Sequence, residues 1–300
     1  MTEPPSTPPL PGPMPFPLLL DEAVWQARRH FRAVYPAVAV PVATLSTAIA
    51  ILQALWFSNL TVDLGSQPAF LSPGYLTVLV VQIALIVIAG NALQVGAVDA
   101  AAGRPIDMRR AWRFSLRGRV LGTLALSGLL CLAAFFLCCV PVLVVVPLLS
   151  LVSTVMAEER LFGVRALSRS IDLTGYRPQG RWQEMALLKA VLMLFVTLIL
   201  AYLIGALVSL PFQIPMYVNL FRHAAAGEDM ARRMSSWIWL QVPAQFLNAL
   251  ASQAVDVYAS FGFALLFHDA RGRKEGTDLR REIDSVFAPS PLLVPGELTP

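Results

Sequence analysis

Residues 268–282, HDARGRKEGTDLRRE, set five basic side chains among five acidic or histidine ones, directly after the apolar run FGFALLF. His268 and Asp269 beside Arg271 and Arg273 could serve as base, acid and anion-holding groups. A second candidate lies just upstream. Gln245, Asn248, Ser252 and Asp256 are spaced three, four and four apart, which lines them up as one polar stripe on a helix. Asn91 and Gln94 offer a matching stripe in an earlier apolar segment. An ionisable group inside an apolar helix is expensive unless paired or facing water, so Asp256 is a functional candidate by default. The functional reading is a polar cavity lined by Asn91, Gln245, Asn248, Ser252 and Asp256. The competing reading is hydrogen bonding between helices, or Asp256 lying near the membrane surface because its helix is overlong.

Other reactive chemistry is poorly represented. His30, His223 and His268 fall on three separate segments, so a three-histidine metal site is not expected. Cys131, Cys138 and Cys139 sit in or beside apolar runs without metal-ligand spacing. No phosphate-binding glycine loop, dinucleotide fingerprint or nucleophile elbow is present. Ser168 and Ser170 stand in an arginine-rich segment with no histidine near them in sequence. The expectation is a protein that is not an enzyme and has no cofactor and no metal.

The elements that must position these residues are apolar. Of 300 residues, 56% are hydrophobic and 14% charged, with a mean hydropathy of +0.64. Ordinary soluble domains carry about 25% charge, so too few polar side chains remain here to cover a water-facing surface. Six stretches approach the ~20 apolar residues that a bilayer crossing needs: 37–60, 74–98, 120–138, 140–157, 186–210 and 240–267. The last is longer and more polar, which predicts tilt, a kink near Pro243 or an interfacial turn before the crossing. Pro141 and Pro147 in the fourth, and Pro211 and Pro215 after the fifth, can kink or end helices. The opening MTEPPSTPPLPGPMPFP lacks a basic n-region, so a disordered proline-rich tail over 1–20 is expected rather than a cleaved signal. A second tail is expected over 285–300, leaving 21–284 as the membrane domain.

Charge orients the set. Of the 23 lysines and arginines, 20 fall before the first span, in alternate loops, or after the last. The opposite side holds only Arg222, Arg232 and Arg233. Basic residues concentrate in cytoplasmic loops, so both termini are expected in the cytoplasm. The pI near 9.2 therefore points to lipid headgroups rather than to nucleic acid.

A degenerate threefold repeat is also legible, with units near 21–106, 107–163 and 164–276. Each outward span follows a basic amphipathic segment: 23–31, 108–119 and 163–182. The second and third share Ala-x-x-x-Ser, Ala111 to Ser115 and Ala166 to Ser170. Each inward span ends on an acid with glycine and a basic residue nearby: VDAAAGRP, MAEERLFGVR and HDARGRKEG. The expected architecture is all-α, a six-helix transmembrane bundle with about three cytoplasmic-side interfacial helices lying in the headgroup layer. On this reading 268–282 is a membrane exit. The acids pair with arginines of a neighbouring interfacial helix, and the glycine ends the span.

Two stretches, ALSRSIDLTGYRPQGRW (166–182) and ALLFHDARGRKEGTDLRRE (264–282), resemble motifs of the bacterial glycerophosphoryl diester phosphodiesterase membrane-domain group. The closing motif maps onto Leu266, Asp269, Arg271, Arg273, Glu275, Gly276, Asp278 and Leu279, with His268 in place of the usual aromatic. The resemblance covers about 20–285. It implies a six-helix integral protein of the bacterial inner membrane and does not imply phosphodiesterase activity, which in that group belongs to a separate soluble domain.

Two functional expectations follow. In the first, the protein is non-enzymatic. Arg109, Arg110, Arg113, Arg117, Arg165, Arg169 and Arg177 cluster at one membrane level and bind anionic phospholipid. Asp269, Arg271, Arg273 and Glu275 are then structural, and partners are phospholipids, other membrane proteins or further copies of the chain. In the second, it is a transporter or lipid-handling permease, with the polar side chains around Asp256 converging on a cavity.

Overall fold

The protein is described by a computed structural model covering residues 14–60, 73–137, 139–176, 185–225 and 230–276. Every regular element among these residues is a helix. Six helical stretches are long and apolar enough to cross a membrane, from Phe16–Leu52 to Val242–Glu275, and the chain reads as a multi-pass membrane protein.

The helices in order are α1 (Phe16–Leu60), α2 (Pro73–Ala101), α3 (Met108–Ser115), α4 (Gly118–Leu137), α5 (Cys139–Leu149), α6 (Val152–Glu158), α7 (Val164–Thr174), α8 (Ala186–Ala225) and α9 (Met230–Glu275). α9 is the axial element: it packs along α1, α8 and α2 and touches α6 and α7 at its end. It runs antiparallel to α1, since Met14 meets Asp269 while the Tyr35 hydroxyl donates to the Leu250 carbonyl at 3.1 Å.

Several boundaries differ from those read in the sequence. The helix begins at Phe16, and Met14 and Leu19 are buried, so the end of the expected tail 1–20 is ordered structure. The basic segment 23–31 is not a separate interfacial helix but the first half of α1, which continues through Pro36 and Pro41. α8 likewise runs through Pro211 and Pro215, and α9 through Pro243. At about 1.5 Å per residue, α1 and α9 each extend well beyond a ~30 Å hydrocarbon layer.

The fourth span is broken. α5 ends at Leu149, the chain turns at Ser150, whose amide bonds the Pro147 carbonyl at 3.2 Å, and α6 restarts at Val152. The break leaves the Leu148 carbonyl without a helical donor. α7 supplies a replacement: Ser170 Oγ donates to it at 2.7 Å, while Thr174 Oγ1, 3.3 Å from the same oxygen, makes its shorter bond to the Ser170 carbonyl at 2.7 Å. A comparable repair occurs in α1. Pro41 has no N–H to give the Ala37 carbonyl, and Trp112 Nε1 of α3 donates to that oxygen at 3.2 Å. Helix breaks and prolines thus fix where the two short amphipathic helices dock.

Burial divides the bundle into two ends. The core joins the start of α1, the end of α2, α3, α6, α7, the start of α8 and the end of α9. There Ala92, Leu93, Val155, Met193, Phe261 and Phe267 are buried. At the other end large apolar side chains face outward, among them Val80 and Ile83 of α2, Phe136 of α4, Leu143 of α5, and Leu198 and Leu207 of α8. The first end carries the charge; the second has the exposed aliphatic surface that lipid requires.

Candidate functional site

Asp269 stands at the centre of the charged end. It sits on the last turns of α9, with its side chain fully buried. Lys189, in the first turn of α8, approaches Asp269 Oδ2 to 2.6 Å and also donates to the Met14 carbonyl at 2.6 Å. The Met14 amide and Arg273 Nε donate to Asp269 Oδ1 at 2.9 and 3.0 Å. A buried carboxylate is tolerated when both its oxygens are met by donors, two of them here charged, Lys189 and Arg273. Lys189 falls just inside the fifth apolar stretch, and nothing in the sequence identifies its partner 80 residues away. The signal was a lone lysine next to an apolar run, opposite an acid at the end of another.

The neighbouring acids and arginines form a second group. Arg169 of α7 grips Glu159 with two nitrogens, Nε to Oε2 at 2.9 Å and Nη2 to Oε1 at 2.9 Å, and reaches Glu275 of α9. These carboxylates, Glu159 first, hold the Arg169 guanidinium well above its ordinary range. Arg271 bonds Glu275 at 2.9 Å, and Lys274 pairs with Asp172 of α7. The expected exit-motif residues therefore fall in two groups: Asp269 and Arg273 with Lys189, tying α9 to α8, and Arg271 and Glu275 with Arg169 and Glu159, tying α9 to α7 and the end of α6.

A third pairing closes the end of α2, where Arg104 bonds Asp99 at 2.9 Å and Glu158 of α6. Gly103 and Gly276, just past α2 and α9, have φ of 69° and 60°, the left-handed conformation that ends a helix at little cost in glycine. The fourth span departs from this pattern. Arg160 takes φ of 57° after α6, while Gly163, at 63°, precedes α7 instead. Arg160 lies 4.8 Å over the Phe114 ring, and Arg117 approaches the same ring at 5.7 Å. Burial first, then the charges of Arg110, Arg117 and Arg104, lower the Arg160 pKa against the pull of Asp99. Positive charge here exceeds what the local acids neutralise.

The arginines expected to meet headgroups divide into two sets. Arg109, Arg110, Arg113, Arg117 and Arg165 are exposed, and among the described residues none has a carboxylate within ion-pair distance. Asp107 is occupied capping α3, accepting from the Arg109 and Arg110 amides at 3.0 and 3.1 Å. Arg169, by contrast, is committed to Glu159 and Glu275. Arg177 lies outside the described residues.

The five polar residues read as one cavity do not form one. Asn91 Nδ2 donates to Ser115 Oγ of α3 at 2.8 Å, and Gln94 Nε2 to Thr154 Oγ1 of α6 at 2.9 Å, all four side chains buried. The α2 stripe is thus spent on packing α3 and α6. Asp256 is half-buried and accepts from Gln253 Nε2, on its own helix, at 2.9 Å. Gln245, Asn248 and Ser252 do share a cleft of about 680 Å³, but its other wall is α8, including Gly205, Ser209 and Gln213.

No protein family, curated protein or solved structure matches the chain.

Proposed function

We propose that the protein is a non-enzymatic inner-membrane component whose α3 face holds anionic phospholipid and whose charged end supports membrane organisation or partner docking. The observation that carries this reading is the set of exposed arginines on α3 and at the start of α7 without carboxylate partners, beside others fully committed to ion pairs. A guanidinium needs an acceptor, and phosphodiester oxygens match its geometry. Juxtamembrane basic residues contribute about 1 kcal/mol each toward an anionic leaflet.

On this reading α3 and α7 lie in the cytoplasmic headgroup layer, and both chain ends are cytoplasmic. Arg28, Arg29 and Arg32, exposed in the first half of α1, belong to the same basic surface on this reading. The degenerate threefold repeat is part of the proposal. Ser115 and Ser170, at matching places in their segments, are both fully buried and both hydrogen-bonded to the preceding helical segments. Membership of the phosphodiesterase membrane-domain group, and hence a bacterial source, rests on the motif residues alone.

The test is lipid analysis of the purified chain by native mass spectrometry. Retained lipid should be enriched in phosphatidylglycerol or cardiolipin over the source membrane, and R109Q/R110Q/R113Q/R117Q should remove that enrichment. Retained lipid of bulk composition in the native chain would refute the reading.

A further inference from the structure

The cleft between α8 and α9 differs chemically from the charged end of the bundle. It lies at the end of the bundle where aliphatic side chains face outward, flanked by the exposed Leu198, Leu203 and Leu207 of α8. Its two walls approach closely at Gly205, where an added Cβ would come within 3.1 Å of Asn248 Oδ1. Beyond that contact the helices leave a space of about 680 Å³, within the range of small-molecule pockets.

The lining mixes apolar surface with uncharged hydrogen-bonding groups. Gln213, Gln245 and Asn248 line it, the two glutamines exposed on the outer face and Asn248 half-buried, and among the described residues none of the three makes a hydrogen bond. Tyr202 and Phe212 contribute aromatic walls. No lining residue is charged. In hydrocarbon, an amide without a partner is costly because no water is available to satisfy it. Here three gather on one concave surface, which calls for an occupant with both donors and acceptors. The lack of charge disfavours an ionic headgroup, whose burial would go uncompensated.

We propose that this cleft binds an uncharged amphiphile that enters sideways from the bilayer. Its hydroxyl or ester carbonyl groups meet Gln213, Gln245 and Asn248, and its chains lie along the α8 surface. A helix from a second copy fits less well. The small residues Ala201, Gly205 and Ser209 would admit one for only about 12 Å, at 1.5 Å per residue, before Phe212 closes the ridge.

The experiment uses the full chain in phosphatidylcholine vesicles with a diacylglycerol carrying a diazirine and an alkyne, and the matching phosphatidic acid probe as the charged comparison. Labelling by the diacylglycerol probe should map to peptides spanning 201–217 and 244–252 and be displaced by unlabelled diacylglycerol. N248L should weaken it about tenfold, as expected for one lost hydrogen bond. G205L, which fills the narrow point, should abolish it. Retention of anionic lipid by both variants shows that the fold and the arginine face are intact. The proposal is overturned if the probe labels all lipid-facing peptides evenly, if N248L leaves displaceable labelling unchanged, if phosphatidic acid labels the cleft equally, or if crosslinks at Ala201 and Ser209 join two copies of the chain.

Discussion

Lys189 Nζ lies 2.6 Å from Asp269 Oδ2, with the two side chains 1% and 0% exposed, and this pair ties the start of α8 to the end of α9. Because the Met14 backbone joins both groups, the pair also anchors the chain just before α1. Removing one member of a buried pair leaves an uncompensated charge and costs about 3–5 kcal/mol. Lys189→Met should therefore lower the melting temperature sharply in detergent. The double variant K189M/D269L should recover part of the loss, because the buried carboxylate is gone and the less deeply buried Arg273 is the one charged group that loses Asp269 as partner. Equal destabilisation by the single and double variants would contradict the pairing.

Arg169 joins α6 to α7 through Glu159, and α7 to α9 through Glu275. Arg169→Gln should destabilise by about 2 kcal/mol, the scale of hydrogen bonds to charged groups. Arg169→Lys should fail to restore it, since an ammonium cannot reproduce the two-nitrogen grip on Glu159. Thermal denaturation of the two variants provides the check.

Trp112 and Pro41 should be energetically coupled through the Ala37 carbonyl. In the native background Trp112→Phe removes that oxygen's indole donor and should cost about 1 kcal/mol beyond the lost ring area. In a Pro41→Ala background the residue 41 amide takes over as donor, so the same change should cost less. A double-mutant cycle measures the difference. Strict additivity would show that the indole bond does not compensate for the proline.

Asp256 accepts from Gln253 on its own helix and lies outside the α8–α9 cleft lining. Asp256→Asn should leave both the melting temperature and diacylglycerol labelling near native values. Loss of either would restore Asp256 to the functional role its sequence context invites.

Much of this was legible in advance because membrane burial imposes long uniform apolar runs. The six candidate helices and the short amphipathic α3 and α7 follow from hydropathy and charge placement. Boundaries were less legible. Prolines at 36, 41, 211, 215 and 243 signal helix ends locally, yet α1, α8 and α9 continue through them. Polar stripes were misread for a related reason. Periodicity tells which residues share a face, not which helix that face meets. Asn91 turned to Ser115, whereas Gln245, Asn248 and Ser252 turned to α8. The Lys189–Asp269 pair was invisible because nothing local fixes a contact across so many residues.

The arrangement of the basic surface around one leaflet is the claim on which the lipid proposal depends. Reporter fusions at the N-terminus and after Gly103, Leu161 and Gly276 test it directly. All four junctions are expected on the cytoplasmic side. A junction on the opposite side would separate the arginines of α1, α3 and α7 between two leaflets and contradict the account.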